Sequence, residues 1–169
     1  MGTPRQSREN VLWVEDGRMS TITPFLWYDS EAEQAAEFYV SLFENSSINE
    51  VSRSFDGTAF VVNFTLDGSR FQAMNAGKGH PFSDAVSFHI QADTQERIDE
   101  LWDALTADGG APSQCGWLID RWGLSWQLVP SRLGELMSST EPGVAQRVTA
   151  ELMAMGKIDI AQLEAAAAG

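Results

Sequence analysis

The chain is poor in the residues from which metal centres and disulfides are built. Of 169 residues, one is cysteine and two are histidine. An intramolecular disulfide is therefore excluded, and no Cys/His cluster has the spacing of a structural zinc site. A single free thiol fits a reducing compartment, so the cytoplasm is the expected location. Positive charge is also scarce, with 11 Lys and Arg against 24 Asp and Glu, a net charge of −13. The acidic residues are spread through helical segments, and such a surface repels phosphate backbones and anionic lipid. Nucleic acid is disfavoured as a partner; a small molecule or another protein is expected. No apolar run approaches the length of a membrane span. Residues 1 to 18 carry Arg5, Arg8, Glu9, Asp16 and Arg18 around a short apolar patch, Val11 to Val14. They lack the hydrophobic region of a signal peptide and read as an N-terminal extension ahead of one unit at 19–169.

What is present is core material: 43% hydrophobic residues, with six Trp and nine Phe. Thr21 to Tyr28 is β-branched and aromatic and reads as a strand, with Thr23, Phe25 and Trp27 on one face. Ser30 and Glu33 form a capping-box pattern, and Ala32, Ala35, Ala36, Tyr39, Leu42 and Phe43 follow at helical spacing, predicting a helix over about 31–43. Ser47 to Ser54 and Ala59 to Leu66 read as strands, the second with Phe60, Val62, Phe64 and Leu66 alternating. Asp67-Gly68 is a hairpin turn into Ser69 to Asn75. After a turn-rich linker, Gly77 to Asp84, the pattern starts again. Ala85 to Ala92 reads as a strand, Asp93-Thr94 as a cap, and Ile98, Leu101, Trp102 and Leu105 as a helix face ended by Gly109-Gly110. Short strands follow near Ser113 to Gln114, Gly116 to Asp120 and Ser125 to Pro130. Asp29-Ser30 and Asp93-Thr94 hold the same place in each half, 64 positions apart. The chain thus reads as a duplicated βαβββ unit of α+β class, module 1 at about 20–76 and module 2 at about 84–130. Helical patterns at about 131–168 are expected to cover an open sheet edge or a dimer partner, or to fold back on their own chain. Each module leaves one sheet face bare, so the two are expected to pair into a cupped barrel whose concave side is the pocket.

TPFLWYD before the first helix, FQAMNAG ending module 1 and QCGWLIDRWGLSWQLVP ending module 2 carry a resemblance. The chain resembles the PhnB-like branch of the vicinal-oxygen-chelate (glyoxalase/bleomycin-resistance) superfamily over about residues 20 to 165. That branch is often labelled 3-demethylubiquinone-9 3-methyltransferase. A methyltransferase of the common kind needs a Gly-rich turn between strand and helix for its adenosyl cofactor. Here Gly77 and Gly79 lie in NAGKGHPF, where Pro81 and the lack of a following helix argue for a plain loop, so methyl transfer is not expected. In metal-dependent members the resemblance implies His and Glu ligands from the first and last strands of each module. The matching positions are Thr23, Gln72 (or Asn75, depending on register), Ser87 and Gln127. Hydroxyls and amides replace imidazole and carboxylate poorly on a transition metal. The resemblance therefore implies the pocket without a metal or other cofactor.

Strand parity places His89 on the face of Ser87 and Gln91, where it could act as a general base or serve only as a hydrogen-bonded wall residue. His80 beside Pro81 reads as a surface loop residue. Cys115 has no adjacent cation to stabilise a thiolate and reads as a small apolar group. Trp27 is the leading aromatic candidate for the pocket, Trp126 is expected under a helix, and Ser125 and Gln127 point into the cup. One cavity lined by Thr23, Trp27, Asn75, Ser87, His89 and Gln127 is expected. The chemistry is either a metal-independent reaction on an oxygenated or aromatic metabolite, using His89 or an acid such as Asp120, or binding without turnover, as in the drug-binding relatives. A third possibility is an interaction module using the C-terminal helices. A homodimer is expected from the open sheet edges.

Overall fold

The computed structural model describes residues 22–169. The expected extension at 1–18 lies outside the described residues. Both βαβββ units form. Module 1 comprises β1 (Phe25–Tyr28), α1 (Ala32–Leu42), β2 (Ser47–Arg53), β3 (Ala59–Leu66) and β4 (Ser69–Asn75), in the sheet order β1-β4-β3-β2. Module 2 comprises β5 (Ser87–Ala92), α2 (Gln95–Thr106), β6 (Ala111–Pro112), β7 (Trp117–Ile119) and β8 (Ser125–Pro130), in the order β5-β8-β7-β6. In each sheet the first strand runs parallel to the last, which only a crossover can connect, and the helix is that crossover. The two sheets share no paired strands, so the described assembly is cupped and not a closed barrel.

Local chemistry accounts for most of these elements. The β3–β4 hairpin turns on Asp67 (φ 45°) and Gly68 (φ 76°), the pair of positive φ values a two-residue type I′ turn requires. Thr94 caps α2 through its side chain, which accepts the Arg97 backbone N–H at 3.2 Å. Two readings are corrected. The Ser30/Glu33 capping box does not form: Glu31 sits at the N-cap, and Glu33 pairs with Arg53 on β2 at 2.5 Å. The cap comes from across the sheet, where Asn75 Oδ1 accepts the Ala32 N–H at 2.7 Å. Phe60 leaves the inward row of Val62, Phe64 and Leu66. A bulge sets Val61 opposite Ser52 and Ala59 opposite Arg53, so Phe60 has no partner position and lies 48% exposed.

The modules join through aromatic side chains. Tyr39 on α1 packs its ring 5.2 Å from Trp126 and 5.5 Å from Trp122 of module 2. Phe43 stacks on Trp126, and Phe71 of β4 meets Phe88 of β5 edge-on at 5.0 Å. Trp126 does pack under a helix as its parity requires, but that helix belongs largely to the other module.

The C-terminal helices α3 (Ser131–Met137), α4 (Val144–Ala154) and α5 (Ile160–Ala168) bury Leu136, Val144, Val148, Met155, Ile158 and Leu163 against one another. They fold back on their own chain, the last of the alternatives read from sequence. Cys115 and Gly116 donate backbone N–H to Met155 and Gly156, each at 2.8 Å, and Gln95 bonds Ile158 O and the Ile160 N–H. Gly116 is required where the segment docks. Its φ is +83°, and a Cβ there would stand 2.5 Å from Leu128 O. Among the described residues no helix is long and apolar enough to cross a membrane.

Candidate functional site

Register shows which side chains share a face. In module 1, Phe25 lies opposite Gln72; in module 2, His89 lies opposite Gln127. The two pairs stand at the same place in the repeat, so Gln72 and Gln127 are structural counterparts, as are Thr23 and Ser87. Leu26, Tyr28, Val62, Phe64 and Ala73 are buried on the face of sheet 1 turned to α1, and Trp126, Leu128 and Leu118 are buried on the corresponding face of sheet 2. By alternation Gln72, Ser87, His89 and Gln127 occupy the open faces. Asn75 lies on the covered face, so the fourth-strand position is Gln72.

Each glutamine is tied to a neutral neighbour. Gln127 Nε2 donates to Ser87 Oγ at 2.7 Å, and Gln72 Nε2 donates to Asn63 Oδ1 at 2.7 Å. At the positions the resemblance marks, the groups are thus hydroxyls and amides, Gln72, Ser87 and Gln127 already hydrogen-bonded, and none carries a charge to offset a dication. No group of three His, Cys, Asp or Glu among the described residues could hold a metal ion. The residues do not fit a transition metal.

The expected cavity is not a single space. A cleft of about 400 Å³ opens where the free edge of β5 approaches the β3–β4 turn, with Phe43, Phe71, Phe88 and Trp126 as floor and Asp67, Ser69, His89 and Gln91 as rim. A second concavity of about 290 Å³ is lined by Thr23, Asn63, Arg70 and Gln72, and shares Phe71 with the cleft. Trp27 lines a third, with His80. Ser87 and Gln127 sit on the open face of sheet 2 beside His89 and line none of these three. His80, read as a surface loop residue, packs against Trp27 at a tilt of 43° with ring centroids 4.2 Å apart. Cys115 is half-buried with its Sγ 3.6 Å from Met153 Sδ, away from the cleft. Ser125 shares the parity of Gln127 but is only 1% exposed, and its hydroxyl has no hydrogen-bond partner among the described residues.

Asp120, considered above as a reacting acid, is a buried hub instead. Its Oδ1 accepts the backbone N–H of Trp122 (2.9 Å) and Leu124 (3.0 Å); its Oδ2 accepts Tyr39 O–H (2.6 Å) and Trp126 Nε1–H (2.9 Å). Tyr39 commits its proton to Asp120, so the Tyr28 hydroxyl 3.2 Å away is the donor in their contact. With four donors satisfied and 2% exposure, this carboxylate holds the β7–β8 turn and α1 together and reaches no substrate. The D-x-x-G spacing was the available signal, since Asp at such a spacing closes a turn on its own backbone.

Asn75 also has a structural role, for its Nδ2 donates to Ala59 O at 3.0 Å while its Oδ1 caps α1. Asn75→Ala is expected to cost about 1–2 kcal/mol in urea unfolding, the value of a lost cap and hydrogen bond. A loss near zero would mean that water replaces the cap.

A family model described as 3-demethylubiquinone-9 3-methyltransferase matches residues 20–129. Among solved structures, a PhnB protein from Bacillus cereus is 33% identical over 66% of this chain and 100% of its own, with a TM-score of 0.61. Protein PA1353 from Pseudomonas aeruginosa is 15% identical over 66% of this chain and 97% of its own, with a TM-score of 0.52, a likeness of fold. Among curated proteins nothing matches. The family match ends at residue 129, just before α3, so the C-terminal helices lie outside it.

Proposed function

We propose, from the premise that this chain belongs to the 3-demethylubiquinone-9 3-methyltransferase (PhnB-like) family of the vicinal-oxygen-chelate superfamily, that it binds a flat aromatic or oxygenated small molecule without a metal. The observation that carries this reading is the cleft between the modules, with four aromatic side chains beneath an exposed rim of Asp67, Ser69, His89 and Gln91. An aromatic floor favours a planar ligand, and a polar rim orients it by hydrogen bonds. Gln72 and Gln127 line no part of this cleft, so orientation of the ligand falls to its rim.

Retention without turnover is favoured over catalysis. His89 is exposed, and no hydrogen bond among the described residues fixes its ring or tautomer. An effective general base is normally held by a second group. Catalysis by His89 is the second reading, supported by its place on the rim.

The proposal includes pairing with a second copy of the chain. The open faces carry Phe25, 49% exposed, and Ile119, 39% exposed, and apolar surface of this kind favours a homodimer. Since the C-terminal helices cover one another, the dimer rests on the sheets alone.

Native mass spectrometry of protein freshly purified from its host tests the proposal. A retained small molecule is expected, lost in Ser69→Trp, which fills the cleft from an exposed position, and unaffected by chelator. Retention undiminished in Ser69→Trp would place the site elsewhere, and release by chelator with stoichiometric zinc, nickel, manganese or iron would refute the metal-free reading. Light scattering is expected to give the mass of two chains; the mass of one chain at micromolar concentration would defeat the dimer. Product formation beyond one equivalent would decide for catalysis.

A further inference from the structure

The concavity at the end of β1 has a chemistry that the cleft lacks. It encloses about 330 Å³ between the end of β1 and the linker, and Trp27, His80, Phe82 and Trp122 line it together with the carboxylates of Asp29 and Glu31. The aromatic walls are held in place. Trp27 Nε1 donates to Gly77 O at 3.1 Å, and His80 packs against the same indole at a tilt of 43°. Tyr28, almost wholly buried, braces both Phe82 and Trp122 edge-on, with ring centroids 5.3 Å and 6.4 Å away.

Carboxylates beside fixed π faces form the environment that stabilises an organic cation. The ring quadrupole attracts positive charge while the rings exclude water, and the carboxylates balance the charge. Glu31 is held below the usual carboxylate range, first by the Ser30 backbone N–H, and Lys78 adds to the effect, so it is ionised at neutral pH. The chain's net charge of −13 concentrates cations near its surface. A divalent metal is a poor occupant, because aromatic rings supply no oxygen ligands.

We propose that this cavity binds an organic ammonium ion, such as the head of a methylated amine, packed on the indole of Trp27 and balanced by Asp29 and Glu31. Trp27 is the principal surface because the Arg121 guanidinium already lies 5.4 Å from the Trp122 ring. Lys78 competes for Glu31, so the affinity is modest. The site stands apart from the cleft and does not depend on the function proposed for it.

The test is calorimetric titration of the full chain with choline and with its neutral isostere 3,3-dimethylbutan-1-ol. Choline is expected to bind once per chain, at least about tenfold tighter than the isostere, and more weakly as salt is raised. The double variant Asp29→Asn, Glu31→Gln and the single variant Trp27→Leu are each expected to weaken choline about tenfold or more. Circular dichroism and melting temperature report whether each variant is folded, and the carboxylate pair, being at the cavity rim, is the control should Trp27→Leu fail to fold. Equal binding of the isostere, no saturable choline binding, or affinity unchanged in the carboxylate variant would overturn the proposal.

Discussion

Replacing Asp120 by Ala is expected to destabilise the protein by about 3–5 kcal/mol, or to leave it unfolded at 37 °C. The substitution strips acceptors from Tyr39 O–H, Trp126 Nε1–H and the backbone N–H groups of Trp122 and Leu124 at once. Each buried donor left unsatisfied costs about 1–3 kcal/mol. The loss falls where the modules meet, because Tyr39 comes from α1 and Trp126 from β8. Asp120→Asn should cost less. Tyr39 can rotate its hydroxyl to accept from the new amide, whereas the indole N–H of Trp126 cannot reverse its role. Urea denaturation followed by tryptophan emission measures both variants. A loss below about 1 kcal/mol for Asp120→Ala would show that water reaches the hub and satisfies the four donors.

Alkaline unfolding is expected to coincide with ionisation of the tyrosines. The chain has two tyrosines, and both belong to this network. Burial raises the Tyr39 hydroxyl far above its ordinary 10.0, and the charge of Asp120 adds to the effect. Burial also raises Tyr28, against a smaller opposing contribution from its bond to Tyr39. Each folded-state value therefore lies above the unfolded one. The unfolded chain binds fewer protons at high pH, so stability is complete below pH 10 and falls as pH rises beyond it. With both groups contributing, the slope approaches about 2.7 kcal/mol per pH unit once the unfolded tyrosines are ionised. Tyrosinate absorbance and far-ultraviolet circular dichroism should change together. Tyr28→Phe should halve the slope while keeping the Tyr39–Asp120 bond. Tyrosinate appearing with the secondary structure intact would show that one hydroxyl is open to solvent.

Much of this architecture was legible without coordinates. The bounds of β3 agree with the reading from alternation, and those of β4 and β8 with the reading from the turns before them, because a half-buried strand records its two faces in consecutive residues and turn residues mark its ends. The Asp67-Gly68 turn was legible for a similar reason: few residue pairs accept two successive positive φ values. Laying one half on the other left Gln72 and Asn75 both open for the fourth strand, and the pairing of Gln72 with Phe25 chose between them. Less legible was anything that depends on a residue distant in the chain. Asn75 displaced the local capping box because β4 brings its amide to the start of α1, 43 residues away in sequence. Asp120 was read as a candidate acid, because nothing near it in the chain reveals that it receives the hydroxyl of Tyr39 from 81 residues away. Phe60 misled the alternation because a bulge depends on the partner strand as well as its own.

The division between sequence and structure follows the range of the forces. Periodicity, turn chemistry and repeat symmetry act over a few residues, so the sequence by itself determined two βαβββ modules and most of their strand faces. Which surfaces of those modules meet depends on side-chain shape across long separations, and packing at near-crystalline density admits few solutions that a pattern of apolar and polar residues does not distinguish. Only the tertiary structure decided that Tyr39, Phe71, Phe88 and Trp126 join the modules. It also decided that His89 lines the cleft while Trp27 and His80 frame a different cavity.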